Sequence, residues 1–216
     1  MNNDLENIMR GAGLDEDQIR FTGGAISHCA HQLAHQGCVP LQAMILTNPQ
    51  DEGDPGLIML ACPVLEDQET KKMFMETVRY MAHQERSETV AILMEAWTAP
   101  EMSNEKYAEM IAQYGSISKM PGAGEAACVM VNSKDGNHQA NMTIIRDEDG
   151  NITDLSDIKI ITPKDGDMRG MMMHSRYLPE EIADPSFDQR IAFMDAYLAG
   201  RMTDLEPTGE GGPTRQ

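Results

Sequence analysis

The fold is decided by residues 125–162, which read EAACVMVNSKDGNHQANMTIIRDEDGNITDLSDIKIIT. Apolar runs in this stretch are separated by two turn signals, KDGN at 134–137 and DGN at 149–151. Because glycine and asparagine tolerate the positive φ angles of tight hairpin turns, each signal predicts that the chain reverses direction. The stretch therefore predicts an antiparallel meander of three strands, over residues 125–132, 138–146 and 156–162.

The residues before the meander predict more of the same sheet and one long helix. Residues 66–86 repeat apolar side chains at the i, i+3, i+4, i+7 spacing of an amphipathic helix. They are followed by ETVAILMEAWTA at 88–99, which alternates as a strand does. Further upstream, strands at 41–47 and 56–64 flank the turn-rich segment NPQDEGDP and predict a hairpin. Both hairpin strands are apolar on both faces, which predicts cover on both sides of the sheet.

Helices are predicted at both ends of the chain. Near the N-terminus, residues 15–18 form a capping-box pattern that starts a helical segment, and the glycine pair at 23–24 predicts its interruption. A clearer helix then covers residues 25–36. Near the C-terminus, a helix is predicted to begin after Ser186 and to end at Gly200.

This order of elements predicts an α+β fold. We expect a mainly antiparallel sheet of about six strands, one long packing helix, N-terminal helices and a C-terminal helix. The chain divides into an N-terminal helical segment at 1–38, an α+β core domain at 39–165, a methionine-rich connection with the C-terminal helix at 166–202, and a tail at 203–216 that is disordered by composition.

The chain is strongly acidic, which excludes several classes of function. Its 216 residues include 17 Lys plus Arg and 35 Asp plus Glu, a formal net charge of −18. Nucleic-acid binding through phosphates needs clustered basic side chains, so the charge argues against it, and it also disfavours anionic membrane surfaces. A basic protein partner, mimicry of nucleic acid and plain solubility all fit this charge.

No part of the sequence predicts export or membrane insertion. The longest nearly apolar run, residues 56–65, is too short to span a bilayer, and the N-terminal MNNDLENIMR lacks the basic and apolar parts of a signal peptide. The four cysteines are scattered without CxxC spacing, which indicates reduced and mostly buried thiols. We therefore expect a cytoplasmic protein.

Three short motifs between residues 88 and 156 follow a spacing shared with other proteins. EAW at 95–97 ends a strand, Glu125 leads the next strand, and residues 144–150 read IIRDEDG. In this layout the chain resembles a loosely defined group of uncharacterised bacterial and phage proteins with an EAW strand end, a Glu-led strand and an I-x-R-D-x-x-G strand. It departs from them at 122–124, where Gly-Ala-Gly replaces the expected Asp and Arg. The resemblance implies a sheet and a bacterial or phage origin, with no assigned activity.

Three histidines, His28, His31 and His35, form a candidate metal site. At about 100° per residue they fall opposite the apolar stripe of the predicted helix and so form an exposed row. Histidine pairs at i, i+3 or i, i+4 can chelate Zn²⁺ or Ni²⁺, and Zn²⁺ is the candidate metal here, although the sequence as a whole predicts no cofactor. A complete site needs a further ligand from Cys38, His83, His174 or a carboxylate. The alternatives are a solvated polar face and a protein-contact face.

Two carboxylates, Glu95 and Glu125, are the candidate catalytic residues. Glu95 lies in an apolar strand, where burial suits a carboxylate to act as a general base, and Glu125 opens a strand that is expected to pair nearby. Together with His138 or His174 they would make a hydrolytic site. The alternative is a structural ion pair with Arg146 or Arg79.

A surplus of methionine and a single tryptophan predict partner contacts. The chain has 19 Met against 4 Phe and 1 Trp. Four methionines lie outside the predicted sheet in one short segment: Met168, Met171, Met172 and Met173. Methionine suits adaptable contact surfaces, and soft-metal binding is the alternative. Trp97 is predicted to anchor the core or an interface.

These observations predict a non-catalytic protein-interaction or assembly component of bacterial or phage origin. It would bind a protein partner or a second copy of itself, in the cytoplasm or within a virion or another assembly. Nucleotide-binding loops and standard hydrolase motifs are missing from the sequence, which disfavours those activities. The alternative is a metal-dependent or acid/base hydrolase-like enzyme, and a further alternative is an acidic inhibitor or nucleic-acid mimic.

Overall fold

The computed structural model describes residues 3–48, 55–62, 68–100, 102–162 and 174–204. Within them the chain forms six α-helices, six strands and a short 3₁₀ turn at Ile117–Lys119. The helices are α1 (Asn3–Gly11), α2 (Glu16–Gln36), α3 (Gln68–Gln84), α4 (Asn104–Tyr114), α5 (Pro179–Ile182) and α6 (Phe187–Asp204). The strands are β1 (Gln42–Leu46), β2 (Leu57–Ala61), β3 (Thr89–Thr98), β4 (Gly124–Ser133), β5 (Gly136–Arg146) and β6 (Ile152–Ile161).

The six strands form one antiparallel sheet in the order β2-β1-β3-β4-β5-β6. The predicted α+β class and the meander β4-β5-β6 are confirmed. Both turn glycines have positive φ, 137° at Gly136 and 83° at Gly150, as their hairpins require. The last strand begins at Ile152, earlier than predicted, because the polar residues at 153–157 belong to an edge strand that needs no apolar alternation.

Helices cover the two faces of the sheet unequally. α2 packs on one face, which we call the α2 face, and α3 packs on the opposite face over β1 and β3. The core on the α2 face contains Ile26, Cys29, Leu33, Met44, Leu93, Val129 and Met142. The core under α3 contains Ile45, Phe74, Met75, Val78, Val90 and Ile92. The face opposite α2 turns polar along β5, where Gln139, Asn141 and Thr143 are only half-buried.

The prediction that both hairpin strands are covered on both faces is correct for β1 and wrong for β2. β1 lies between β2 and β3, and its residues Gln42–Ile45 are buried. β2 is an edge strand, so every second side chain along it is exposed. Apolar side chains on both faces of a strand do not by themselves indicate a central strand, because an edge strand can have the same composition.

The predicted interruption at Gly23 and Gly24 is wrong, because α2 continues through both glycines. Each glycine weakens a helix by about 1 kcal/mol. Burial of Ile19, Ile26 and Leu33 on one side of α2 outweighs this loss. The capping box at the start of α2 and the C-cap at Gly37 are as predicted.

The glycines of α2 provide a matched pair of substitutions with opposite expected signs. Gly24→Ala should raise the free energy of unfolding by about 0.5–1 kcal/mol, because a Cβ there meets no atom and alanine favours the helix. Gly37→Ala should lower it by about 1 kcal/mol, because φ is 72° at this C-cap. Urea denaturation of both variants measures the two shifts. Equal effects in the two variants would contradict this assignment of the helix end.

Residues from Tyr177 onward form a second compact unit. Its helix α6 runs to Asp204 rather than ending at Gly200, because Gly200 keeps helical backbone and does not adopt a positive φ. The Tyr177 ring meets Phe187 edge-on at 5.0 Å between centroids, and the Arg190 guanidinium lies 4.8 Å from the same ring. The predicted tail at 203–216 lies outside the described residues from 205 onward, and the predicted domain boundaries stay predictions.

Candidate functional site

The sheet is uncovered where α2 ends. Gly37 stops the helix, and the chain then turns into β1, so the ends of β3, β4 and β5 extend past α2 on the α2 face. Three charged side chains lie there: Glu95 on β3, Glu125 on β4 and Arg146 on β5. We call these three residues the carboxylate–arginine cluster.

Strand register brings the cluster together. Glu125 lies opposite Trp97 on one side and opposite Ile144 on the other. Every second residue along a strand points to the same face, so Glu95 and Arg146 share the face of Glu125. The same alternation places these residues in line with the buried apolar side chains beneath α2.

Arg146 holds the cluster with its whole guanidinium. Its Nε donates to Glu125 Oε2 at 2.6 Å, and its second terminal nitrogen lies 3.6 Å from Glu95 Oε2. The remaining nitrogen donates to the carbonyl oxygens of Gly150 at 3.2 Å and Gly37 at 3.5 Å. The cluster thus fastens the end of α2 and the β5-β6 turn to the central strands.

Glu95 has a second structural contact. Its Oε1 accepts a hydrogen bond of 2.7 Å from the backbone N–H of Val39, which ties β3 to the segment that follows α2.

The cluster is partly shielded from water, since each of its three side chains is between 26% and 29% exposed. The hydrogen bond to Glu125 raises the pKa of Arg146; desolvation opposes this rise, and attraction to Glu125, Glu95 and Cys38 adds to it. The guanidinium neutralises one of the two carboxylate charges.

The geometry matches the structural alternative that the sequence left open for Glu95 and Glu125. Both carboxylates are engaged by Arg146, whereas Arg79 lies elsewhere, 3.8 Å from Glu76 on α3. Catalysis by the two glutamates stays a prediction. The motifs that carry the resemblance each contribute one member of the cluster: EAW gives Glu95, the Glu-led strand gives Glu125, and IIRDEDG gives Arg146.

The histidines proposed as catalytic partners are not at the cluster. His138 lies on β5 eight residues from Arg146, which is about 26 Å along a strand. His174 lines a separate open cleft of about 500 Å³ together with Lys72, Glu76 and Arg79. The structure therefore brings together Glu95, Glu125 and Arg146, and it places both histidines elsewhere.

Trp97 lies beside the cluster on the same face. It is opposite Glu125 in the β3-β4 register, so their Cβ atoms are about 5 Å apart. The Trp97 side chain is 45% exposed, although Leu93 and Val129 on the same face are completely buried. Beyond Arg146, an open cleft of about 560 Å³ is lined by Leu33, Gly37, Asn151, Ile152 and Leu155 among others.

The prediction of an exposed histidine row is correct for His31 and His35 and wrong for His28, which lies at the edge of α2 against β1. His31 and His35 are exposed, with their ring centroids 4.2 Å apart. His28 is half-buried, and its Nε2 lies 3.4 Å from Gln42 Oε1. Among the described residues, no group of three or more His, Cys, Asp or Glu side chains is placed to hold a metal ion. Zinc binding by His28, His31 and His35 stays a prediction.

One buried histidine was not singled out as a structural feature by the sequence. His138 is 2% exposed, and its Nε2 lies 2.7 Å from Oγ1 of the buried Thr22 on α2. Burial lowers the pKa of His138 to about 4, against a smaller attraction to Asp15. The sequence signal that could have indicated this burial is the alternation of His138 with Ala140 and Met142, which places His138 on the α2 face.

The predicted methionine contact segment lies outside the described residues, so partner contact by Met168, Met171, Met172 and Met173 stays a prediction.

Comparison with known proteins matched no family model, no curated protein and no solved structure. In the part of the chain that the structure describes, no helix is long and apolar enough to cross a membrane. Among the described residues, the features that bear on function are the carboxylate–arginine cluster and Trp97.

Proposed function

We propose that this chain is a non-catalytic protein-interaction component that binds a positively charged segment of a partner protein at Trp97. The observation that carries the proposal is the 45% exposure of Trp97, the only tryptophan, beside the carboxylate of Glu125. Tryptophan is enriched among the residues that dominate binding energy at interfaces. An exposed tryptophan at the uncovered end of a face that is buried beneath α2 is therefore a candidate anchor.

The charge around Trp97 favours a basic partner. Glu95 and Glu125 carry two negative charges, and Arg146 supplies only one positive charge. The whole chain carries −18, which attracts basic segments over a distance at low salt. The face of an indole ring also attracts Lys and Arg side chains. A lysine or arginine that stacks on Trp97 reaches the Glu125 carboxylate at the same time.

The single tryptophan makes the test direct. Titration with a short peptide of alternating Lys and Gly should change the tryptophan fluorescence saturably, and the affinity should fall as salt rises. Trp97→Ala, measured by anisotropy of a labelled peptide, should weaken binding about 10-fold, because it removes the cation–π contact and its apolar area.

Phe193→Ala is the matched control, since Phe193 is an exposed aromatic residue at 57% in the second unit. Its affinity for the peptide should equal that of the wild type. Equal binding by Trp97→Ala and the wild type would show that the peptide is attracted by overall charge alone, and this would overturn the proposed site.

A further inference from the structure

The two edges of the sheet, β6 and β2, differ in whether a strand of another chain can pair with them. The β6 edge carries Asp154, Asp157 and Lys159, and Asp157 has a positive φ of 51°. The β5-β6 register is also irregular between Asn141 and Thr143. Charges and bulges on an edge strand prevent pairing with another chain. The β6 edge is therefore protected.

The β2 edge has none of these features. Its sequence is LIMLA, which contains no charged residue and no proline, and its pairing with β1 is regular. Leu57 is 51% exposed and Met59 is 39% exposed. An uncharged, apolar and flat edge is the kind that accepts a further strand.

The hydrogen bonds to β1 show which backbone groups of β2 point outward. Thr47 N donates to Gly56 O at 3.0 Å, and Cys62 N donates to Leu41 O at 2.9 Å. In an antiparallel pair, alternate residues direct both backbone groups to the same neighbour. Ile58 and Leu60 therefore bond to β1, so the N–H and C=O groups of Leu57, Met59 and Ala61 point away from it.

We propose that the β2 edge pairs with the β2 edge of a second copy of this chain. The two strands run antiparallel about a two-fold axis at Met59, so Met59 of each copy faces Met59 of the other, and Leu57 faces Ala61. In this register every outward N–H meets an outward C=O. The pairing also covers the exposed Leu57 and Met59 side chains, and the resulting contact is self-complementary, as a two-fold interface must be.

The sequence on either side of β2 has the same symmetry. Pro55 and Pro63 stand equally far from Met59. Proline lacks a backbone N–H, so it limits a strand ladder at both ends. The paired region is therefore the same short segment in both copies.

Charge favours a second copy over a basic partner as the occupant of the β2 edge. Each copy carries −18, so two copies repel each other wherever acidic side chains face one another. The segment Leu57–Ala61 lacks charge and avoids this repulsion. A basic partner such as that proposed at Trp97 has no carboxylate to meet on β2 itself. The β2 contact uses different residues from the Trp97 site, so each proposal is tested without the other.

The test is the molar mass of the full chain by light scattering or sedimentation, at concentrations up to about 100 μM. We expect a dimer in the wild type. Met59→Lys should weaken dimerisation about 100-fold or more, because it brings two ammonium groups together at the axis. Ile161→Lys, a matched substitution of a 46% exposed residue on the protected edge, should leave the dimer intact.

Cross-linking tests the register and does not depend on the lysine variant folding. In a Cys38→Ser background, which removes the exposed native thiol, Met59→Cys should oxidise to a disulfide-linked dimer, since facing Cα atoms are about 5.5 Å apart. Leu57→Cys should not, because the two copies of residue 57 are about 14 Å apart. A monomeric wild type, or a dimer that cross-links at 57 and not at 59, would overturn the proposal.

Discussion

Acidification from pH 6.5 to pH 4 is expected to remove about 3 kcal/mol of the free energy of unfolding through His138. Burial lowers the pKa of this imidazole to about 4, whereas the unfolded chain has the ordinary value of 6.5. Above pH 6.5 the side chain is neutral in both states and contributes nothing to the pH dependence. Between the two values only the unfolded state takes up a proton, so stability falls as the pH falls; below pH 4 this contribution stays constant.

Urea denaturation at a series of pH values measures this effect. His138→Gln cannot titrate, and it keeps an amide near the position of Nε2, so its stability should vary less over the same range. His31→Gln is the matched control, because His31 is exposed, and its profile should follow the wild type. An NMR titration that finds His138 protonating near 6.5 in the folded protein would contradict the prediction, whether or not the glutamine variant folds.

Replacing Arg146 with methionine is expected to lower the free energy of unfolding by about 1–2 kcal/mol at neutral pH. The change leaves Glu95 and Glu125, which are diagonal neighbours on β3 and β4, with no cation between them. Both side chains are only 28–29% exposed, so water reduces the penalty only in part. Arg146→Lys should recover some of the loss, since one ammonium cannot bond both carboxylates and two carbonyls as the guanidinium does.

A double-mutant cycle with Glu125→Gln isolates the pair. The double variant should be more stable than the sum of the single losses predicts, because Glu125→Gln removes one of the two unpaired charges. Lys134→Met is the matched control: its partner Glu88 and Lys134 itself are both about half exposed, so no measurable loss is expected. A loss at Arg146 no larger than that at Lys134 would mean that the cluster does not stabilise the fold.

Local signals in the sequence were sufficient for the part of the fold in which neighbours in the chain are neighbours in space. The turn glycines at 136 and 150 fixed the meander, and Gly37 fixed the end of α2. The position of β1 between β2 and β3 could not be predicted, because β2 and α3 separate β1 from β3 along the chain. Such pairing depends on long-range packing, which local sequence patterns do not reveal.

The candidate site was predictable in composition but not in geometry. Glu95 and Glu125 stood out as acidic residues in apolar strands, and Arg146 was one of two arginines considered as a partner. The choice between them follows only from the register, which places residues from three strands side by side. The metal-dependent or acid/base enzyme, the acidic mimic and the bacterial or phage origin stay predictions.

The place of β1 in the sheet also sets the order in which the newly made chain can complete its fold. β1 and β2 leave the ribosome before β3, so one side of β1 has no strand beside it until residues 89–98 have been synthesised. β4, β5 and β6 then join by hairpins, which form within microseconds, whereas β3 reaches β4 through the segment that contains α4. The pairing of β1 with β3, where Met44 meets Ala91 and Ile45 meets Val90, is therefore the long-range step of sheet assembly, and we expect it to be slow relative to the formation of the local hairpins.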